Sequence, residues 1–348
     1  MKKRTTILEI ARQLNVSIST VSRALHDHHS IGLGTKMRVH KLAGQLNYER
    51  NETAIFFKQQ KKFTIGVILP ELSEFFFSTA INGIEDIADK NGYTVLVAQS
   101  HDREDREKEI VEMMKRRRID GLIASLSKTT VSYGHFELLK TWGIPVVYFD
   151  RVPDLDGIHY VACDIGAGTV QAVNFLLRKA HRVIGMINGP EELHASKERV
   201  GGYRMALEKN GYSFDPELIV STDLTSGGIY SAMRQLLSRE IKPTAVLVFN
   251  DYAALDAMQY ARKNKLKVNK DICFVSYANL PINNYLAYPP LASVEQYPYQ
   301  QGRKAAEILL GILSKDEREM NTTPNYRIVL ASKLIVHADK RGGLSPNF

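Results

Sequence analysis

A short run of side chains near the N-terminus has the chemistry that protein–DNA contacts use. Four hydroxyl groups and one guanidinium fall close together, at Ser17, Ser19, Thr20, Ser22 and Arg23. Serine and threonine hydroxyls suit phosphates or either kind of base edge, and arginine can bind a guanine through two hydrogen bonds or neutralise a phosphate. Presented together on one surface, these side chains would form a face able to bind DNA.

Two short helices around a turn are predicted to position this run. Apolar residues recur at helical spacing before a break at residues 15–17, and the same period resumes after the break. Asn15 tolerates the left-handed backbone that a tight turn needs, and Ser17 can accept hydrogen bonds from the free amides of the second helix. This layout is that of a helix-turn-helix, whose second helix lies in the major groove. The apolar positions are Ile7, Ile10, Ala11, Leu14, Val21, Ala24 and Leu25.

Periodicity alone leaves two interpretations of this segment open, because an ordinary amphipathic helical hairpin has the same pattern. Ile18 illustrates the ambiguity. Its spacing to Val21 and Leu25 fits a buried core position. In the helix-turn-helix interpretation, Ile18 and Ser19 are instead exposed and determine much of the DNA sequence that is bound.

The positive charge of the chain is concentrated around this segment. Residues 1–62 hold 12 Lys or Arg and 4 acids, a net charge of +8. The whole chain holds 46 basic and 38 acidic residues, also a net of +8, so residues 63–348 balance at 34 against 34. A local excess of this kind is the electrostatic footprint of a phosphate-binding module.

Size and composition are those of a folded globular protein with about two or three domains. No apolar run approaches the roughly 20 residues that a membrane span needs, and we expect a cytoplasmic location. Cys163 and Cys273 lie in strand-like apolar runs without metal-ligand spacing, which predicts free, buried thiols. The histidines at positions 26, 28 and 29 lack acidic or cysteine partners at ligand spacing, so we expect no metal. We also expect no cofactor.

The letters around the second helix resemble the signature of the lactose-repressor (LacI/GalR) family of transcriptional regulators. That signature, VSxxTVSRxL, extends here from Val16 to Leu25. The resemblance continues through a third helix, expected at roughly residues 35–46, and covers nearly the whole chain. It implies a small all-α headpiece at residues 1–49, in which Thr6 joins the second helix in contacting DNA. The further matching positions are Thr35, Arg38, Val39, Leu46, Asn47 and Tyr48.

The same resemblance implies a hinge helix and linker at residues 50–62. In the family, this helix enters the minor groove and an apolar side chain separates two base pairs. The matching residues here are Asn51 as the helix cap, Ala54, and Phe57 in the position of the inserted side chain. Such wedges bend the duplex. The alternative is that Phe57 packs on the neighbouring domain.

From residue 63 onward, apolar runs alternate with helical segments, which is typical of doubly wound parallel sheets. The alternation occurs twice, which predicts two α/β lobes with a cleft between them. The resemblance is to the two-lobed periplasmic-binding-protein architecture, with an effector-binding and dimerisation domain at residues 63–348. Crossings between lobes are expected near residues 161, 291 and 325. The first lobe would then comprise residues 63–161 and 291–325, and the second residues 162–290 and 326–348.

Ligands of open α/β sheets bind at the carboxyl ends of the strands, and polar residues follow two predicted strands there. The resemblance adds Arg199, which matches the Arg of an R-x-x-G-Y element that grips the effector, and an aromatic pair lining the cleft opposite. The pattern departs from the family at Ala278, where a carboxylate often binds effector hydroxyls. A sugar or another polyhydroxylated or anionic molecule is expected. The candidate effector contacts are Phe76, Phe77, Asp150, Arg151, Arg199, Asn250 and Asp251.

Each of these positions also has a structural interpretation, since an aromatic pair at a helix start can be core and strand-end acids can cap the next helix. The function expected from the whole is a homodimeric DNA-binding regulator, a repressor of a pseudo-palindromic operator, switched by a small-molecule effector. The alternatives are an activator or dual regulator of the same fold, or a solute-binding protein without DNA. The chain shows no nucleophile elbow, phosphate loop or metal cluster, and we expect no enzymatic activity.

Overall fold

The structure is a computed structural model that describes residues 5–46, 48, 62–315, 319 and 324–337. The chain divides into two compact units, residues 1–62 and residues 63–348. The predictions for the hinge, at Asn51, Ala54 and Phe57, lie outside the described residues. No helix of the described residues is both long and apolar enough to cross a lipid bilayer.

The first unit contains three helices, α1 (Ile7–Leu14), α2 (Ile18–Leu25) and α3 (Leu33–Gln45). Asn15 ends α1 in the left-handed conformation, with φ 52° and ψ 48°, which confirms the predicted turn. Ser17 caps α2, because its Oγ accepts a hydrogen bond from the Thr20 amide at 3.0 Å. The small core joins all three helices through Ile10, Ala11, Val21, Ala24, Leu25, Val39 and Ala43.

Helix α3 begins two residues before its expected start. Gly32 is its N-terminal cap and provides no side-chain hydrogen bond, because glycine has no side chain. The amides of Thr35 and Lys36 instead donate to the Gly32 carbonyl. The backbone therefore begins this helix without the side-chain cap that a serine would supply.

The second unit begins with a six-stranded sheet whose described pairings are all parallel, in the order β11-β5-β4-β3-β1-β2. Helices α4 (Phe75–Lys90), α5 (Glu104–Arg117), α6 (Gly134–Thr141) and α11 (Pro298–Leu313) accompany it. The strands are β1 (Thr64–Leu69), β2 (Thr94–Gln99), β3 (Gly121–Ala124), β4 (Val146–Phe149), β5 (His159–Cys163) and β11 (Arg327–Leu330).

The second sheet also has six strands, in the order β12-β10-β9-β8-β6-β7, and only its β10–β12 pair is antiparallel among the described pairings. Helices α7 (Ile165–Arg178), α8 (His194–Lys209), α9 (Ser226–Leu237) and α10 (Asp251–Lys263) accompany it. The strands are β6 (Ile184–Asn188), β7 (Ile219–Ser221), β8 (Ala245–Val248), β9 (Cys273–Tyr277), β10 (Ala292–Glu295) and β12 (Lys333–Val336).

The strands place the crossings between sheets later in the chain than expected. Strand β10 was expected in the first lobe, but it pairs with β9 in the second sheet. Strand β11 was expected in the second lobe, but it pairs with β5 in the first sheet. The chain therefore changes sheet after Cys163, Glu295 and Leu330. Apolar pattern identifies such strands but does not say which sheet supplies their hydrogen-bond partners.

Helices α4 and α11 approach each other closely through two glycines. A Cβ atom on Gly302 would lie 2.0 Å from the Ala80 carbonyl oxygen, and one on Gly83 would lie 2.1 Å from the Tyr299 carbonyl oxygen. Only glycine at both positions lets the two backbones come this near. The pair forms part of the first sheet's core, which includes Leu309 and Ile312.

The two cysteines are buried and free, as predicted. Burial raises the pKa of the Cys163 thiol to about 12 and also raises the pKa of Cys273. Since the thiolate is the reactive form, neither sulfur is suited to redox or nucleophilic chemistry.

Candidate functional site

The exposed face of α2 is the first candidate site. Ile18 is 47% exposed, so it lies on the outer face rather than in the core. Ser19 and Arg23 are exposed as well, whereas Val21 is fully buried. The ambiguity that periodicity left open at Ile18 is thus decided in favour of an outward-facing side chain.

Two of the residues predicted to contact DNA also cap the N-termini of helices. Ser17 Oγ forms hydrogen bonds with Ser19 Oγ at 2.7 Å and with Thr20 Oγ1 at 2.8 Å, besides capping α2. The Thr6 hydroxyl caps α1, accepting from the Glu9 amide at 3.4 Å. Both side chains therefore lie at helix N-termini, where free backbone amides favour phosphate.

Ser22 is half-buried on α2, and its carbonyl lies 2.7 Å from His26 Nδ1. The neighbouring His28 and His29 rings stack at 4.3 Å between centroids. Within the described part of the chain, no three His, Cys, Asp or Glu side chains are placed to hold a metal ion.

The second candidate site is a cavity of about 340 Å³ in the unit formed by residues 63–348. Its wall comes from segments that follow the carboxyl ends of strands in both sheets. Asp102, Lys128 and Arg151 belong to the first sheet's loops. Asp223 and Leu280 belong to the loops of the second sheet. The position matches the strand-end rule for ligand sites in open α/β sheets.

Six of the seven residues predicted from sequence line this cavity. Phe76 and Phe77 were expected either to pack in the core or to contact the effector. Both side chains are buried in the core and also line the cavity. Their rings meet edge to face at 5.3 Å between centroids. The six are Phe76, Phe77, Asp150, Arg151, Arg199 and Asn250.

Arg199 is a buried guanidinium held between two aromatic rings. Its central carbon lies 3.9 Å from the Phe249 ring centroid and 4.4 Å from that of Tyr277, and the residue is 3% exposed. Its Nη1 donates to the Ala195 carbonyl at 3.0 Å and its Nη2 to the Phe249 carbonyl at 3.2 Å. Burial lowers the pKa of Arg199. Among the described residues it forms no ion pair, and its Nε has no hydrogen-bond partner.

Arg151 differs from Arg199 in having a carboxylate partner already. Its Nη1 donates to Asp102 Oδ1, and its guanidinium lies 5.6 Å from the centroid of the Phe77 ring. Asp102 also accepts from the Lys128 amide at 3.0 Å. Arg151 therefore contributes to the cavity wall as one half of an ion pair.

Asp150 occupies a strained backbone position at the end of β4, with φ 59°. Its amide donates to the Val161 carbonyl at 3.0 Å and to Gln301 Oε1 at 3.1 Å. Its carboxylate has no hydrogen bond among the described residues. Burial raises the pKa of Asp150, and the nearby Arg151 and Arg199 oppose this rise. Strained positions of this kind concentrate at functional sites.

Asp251 does not line the cavity, which corrects its assignment as an effector contact. The residue is fully buried, and its carboxylate accepts from the Leu280 amide at 2.6 Å, from Ser293 Oγ at 2.9 Å and from Ser276 Oγ. These bonds join the start of α10 to strands β9 and β10 and to the loop that follows β9, so Asp251 has a structural role. Asn250 is partly structural too, since its Oδ1 caps α10 by accepting from the Ala253 amide at 2.8 Å.

Several polar residues of the cavity were missed by the sequence reasoning. Glu74 directly precedes the aromatic pair, at the N-terminal cap of α4, yet it makes no capping hydrogen bond. Asp102 and Lys128 follow β2 and β3, so the strand-end rule could have identified them. Ala278 lines the cavity with φ 87°, where related patterns place a carboxylate. The acids of this cavity therefore come from other positions.

Two family descriptions match this chain. Residues 6–51 match the bacterial regulatory proteins of the lacI family. Residues 62–331 match the periplasmic binding proteins and sugar binding domain of the LacI family.

Individual proteins are similar over most of the chain. The HTH-type transcriptional repressor CytR of Escherichia coli (strain K12) is 32% identical over 305 residues, which are 88% of this chain and 89% of that protein. The solved complex of the transcriptional regulator CelR with cellobiose has a TM-score of 0.71 and 27% identity, covering 96% of this chain and 99% of that chain. The lac repressor dimer bound to operator and the anti-inducer ONPF has a TM-score of 0.81, covering 96% and 98%. Its identity is 24%, so this likeness shows the fold alone.

Proposed function

We propose a function from the premise that this chain belongs to the LacI family of bacterial regulatory proteins. Members of the family are DNA-binding transcription regulators rather than enzymes, and this chain is a DNA-binding transcription regulator. We infer that it is a repressor whose operator affinity is switched by a small molecule in the cavity described above. An activator or dual regulator of the same fold is the alternative.

The observation that carries the DNA-binding role is the outward face of α2. Ile18, Ser19 and Arg23 are exposed on a helix whose other face is buried in the headpiece core. A helix presented in this way fits the major groove, with its first residues at the base edges. In this proposal, Arg23 binds a guanine or a phosphate and Ile18 selects among base edges. The remaining proposed contacts are Thr6, Ser17, Thr20 and Ser22.

Two copies of the chain bind one operator in this proposal. Regulators of this family act as dimers, and the solved lac repressor is a dimer on its operator. A two-fold symmetric dimer requires two half-sites in inverted orientation, so the operator is a pseudo-palindrome. Residues 1–49 form the headpiece, and residues 50–62 form the hinge, in which Asn51, Ala54 and Phe57 approach the minor groove.

The proposed effector is a sugar or a sugar derivative. The cavity combines an aromatic floor, Phe76 and Phe77, with the guanidinium of Arg199 and the carboxylate of Asp150. Apolar rings suit the carbon face of a sugar, and charged side chains suit its hydroxyls. The similarity to CelR, which was solved with cellobiose, supports this class. Effector binding changes operator affinity only if the effector has different affinities for the operator-binding conformation and for the conformation that does not bind the operator.

Selection from random DNA with the purified full-length chain tests the DNA-binding proposal. We expect enrichment of one pseudo-palindrome, bound with an affinity that falls steeply with salt because phosphate contacts release counterions. Arg23→Ala should weaken binding to the selected site by about tenfold or more, since one good base contact contributes roughly 1–3 kcal/mol. Fluorescence anisotropy with labelled duplex measures this loss.

Lys41→Ala is the matched control, because it removes an equal charge from an exposed position of α3. Its loss of affinity should be smaller than that of Arg23→Ala. Equal losses would show that Arg23 contributes only general charge, and failure to enrich any sequence would refute sequence-specific binding.

A further inference from the structure

The charge of the cavity wall is unusual for a site that binds a neutral or acidic molecule. Three fixed cations line it, Lys128, Arg151 and Arg199. Twice as many carboxylates line the same wall, namely Glu71, Glu74, Asp102, Asp150, Asp223 and Asp256. The wall therefore has an excess of negative charge, which no ordinary sugar hydroxyl can balance.

Four of these carboxylates already have partners. Asp102 pairs with Arg151, and Glu71 Oε1 lies 3.0 Å from His101 Nδ1. The other two accept from hydroxyls on α9 or its cap, Asp223 from Thr225 at 2.8 Å and Asp256 from Ser226 at 2.8 Å. These groups are satisfied without a ligand.

The two remaining carboxylates of the cavity wall are those of Glu74 and Asp150. Neither carboxylate has a hydrogen bond among the described residues, and both lie in the wall. Burial raises the pKa of each carboxyl, Asp150 further raises the pKa of Glu74, and Asp102 adds to both rises. Both residues are half-buried, and a ligand that displaces their water must supply a donor in its place, since a desolvated acceptor without one costs free energy.

Each ligand class can be compared with this arrangement. A sugar acid or a sugar phosphate would bring negative charge against two unpaired carboxylates, which is repulsive in a desolvated site. A neutral sugar would supply hydroxyl donors but leave the charge excess in place. An ammonium group supplies three donors and a positive charge together.

We infer that the effector is a polyhydroxylated molecule with a protonated amino group, which lies against Glu74 and Asp150. This inference rests on the proposed function, in which the cavity binds the effector. The hydroxyls and ring oxygen of the same molecule face Arg199, and its carbon face lies on Phe76 and Phe77. The class is an amino sugar or a closely similar amino polyol.

Titration calorimetry on the full-length chain tests this inference with a matched series. The probes are glucosamine, galactosamine and mannosamine, their parent hexoses, and the corresponding uronic acids, each at one pH and salt concentration. We expect at least one amine to bind tenfold or more tightly than its parent hexose, and the matching acid to bind more weakly than both.

Glu74→Gln is the decisive variant, because it keeps the shape of the side chain and removes its charge. It should weaken binding of the preferred amine by about tenfold and binding of the parent hexose by a clearly smaller factor. Asp150→Asn should act in the same direction. Glu85→Gln removes an equal charge from an exposed position of α4 and should bind the amine as the unmodified chain does.

The outcomes separate the inference from the proposed function. The inference is overturned if the chain prefers a parent hexose or a uronic acid to the amines. It is also overturned if Glu74→Gln and Asp150→Asn leave the preference for an amine intact. In both cases the cavity remains an effector site. If no member binds while the chain still binds its selected DNA, both the inference and the sugar effector are rejected, and DNA binding stands.

Discussion

Ser17 combines a folding role with a proposed role in DNA contact. Its hydroxyl caps α2 and also contacts the hydroxyls of Ser19 and Thr20. Replacing such a cap with alanine typically costs about 1 kcal/mol. We expect Ser17→Ala to speed hydrogen exchange at the Thr20 amide by roughly fivefold, as that free energy implies. Exchange measured by NMR or mass spectrometry on the free chain gives this rate.

Ser17→Asn is the control, because asparagine is an equally good helix cap. Exchange at Thr20 should remain near that of the unmodified chain in this variant. No acceleration in Ser17→Ala would mean that the cap contributes little to the stability of α2, and equal acceleration in both variants would mean that the loss is not one of capping.

Glu74 is expected to destabilise the ligand-free protein as pH rises. Burial raises its pKa, Arg151 opposes the rise, and Asp102, Asp150 and Glu71 add to it. An acid with a raised folded pKa contributes stability below its unfolded pKa, and this is lost as pH rises through the folded pKa. Glu74→Gln should therefore match the unmodified chain near pH 4 and melt at a higher temperature at pH 7.

Thermal melts without ligand at the two pH values measure this difference. Glu85→Gln, at an exposed position on the same helix, should show no such gain on going from pH 4 to pH 7. A gain for Glu74→Gln that is as large at pH 4 as at pH 7 would contradict the argument, since the protonated acid and the amide are then equivalent.

The sequence allowed part of the site to be predicted, for physical reasons that differ between residues. Phe76, Phe77, Asp150 and Arg199 were found because they follow strands or match a family pattern, and they line the cavity. Asp251 also follows a strand, but its side chain turns to the Leu280 amide instead of the cavity. The direction of a side chain depends on hydrogen-bond partners that are distant in sequence, which local pattern does not reveal.

At the scale of elements, alternating apolar runs and helices were enough to predict two parallel sheets. Period and length identify such strands from local sequence. The pairing of β10 with β9 and of β11 with β5 was not predicted, because an apolar strand of four residues fits either sheet. The start of α3 was also displaced, since Gly32 gives no side-chain signal for a cap.

The close packing of α4 and α11 depends on Gly302. An added methyl group there would meet the Ala80 carbonyl, a backbone atom that cannot move aside without shifting α4. Overpacking of this kind typically costs about 1–3 kcal/mol. We expect Gly302→Ala to lower the free energy of unfolding of the larger unit by that amount, measured by denaturant titration.

Gly311 provides a control on the same helix, because nothing lies within 4 Å of a Cβ added there. Gly311→Ala should be neutral or stabilising, since alanine favours helices more than glycine does. An equal loss of unfolding free energy in Gly311→Ala and Gly302→Ala would show that the loss does not come from the close approach of α4 and α11.

At the scale of the whole molecule, the proposed hinge makes specific binding by the headpiece depend on bending of the operator. If Phe57 separates a base step in the minor groove, its removal abolishes the kink while phosphate contacts persist. We expect Phe57→Ala to reduce DNA bending and specific affinity but to leave nonspecific, salt-sensitive binding largely intact. Energy transfer between dyes at the two ends of a selected duplex measures the bend.

Phe56→Ala is the neighbouring control, and it should retain the bend. Unchanged bending in Phe57→Ala would refute the wedge and favour packing of this ring on the adjacent domain. Because coupling between sites is reciprocal, an effector that weakens operator binding must itself bind less tightly to the operator-bound dimer.

The late return of the chain to its first sheet has a consequence for synthesis on the ribosome. Strand β5 ends at Cys163, but its outer neighbour β11 begins only at Arg327. At roughly 5–20 residues per second, translation leaves that edge unpaired for about ten seconds or longer. An open strand edge can pair with other chains during this interval. The yield of folded protein should therefore depend on translation speed and on nascent-chain chaperones, independently of the stability of the finished molecule.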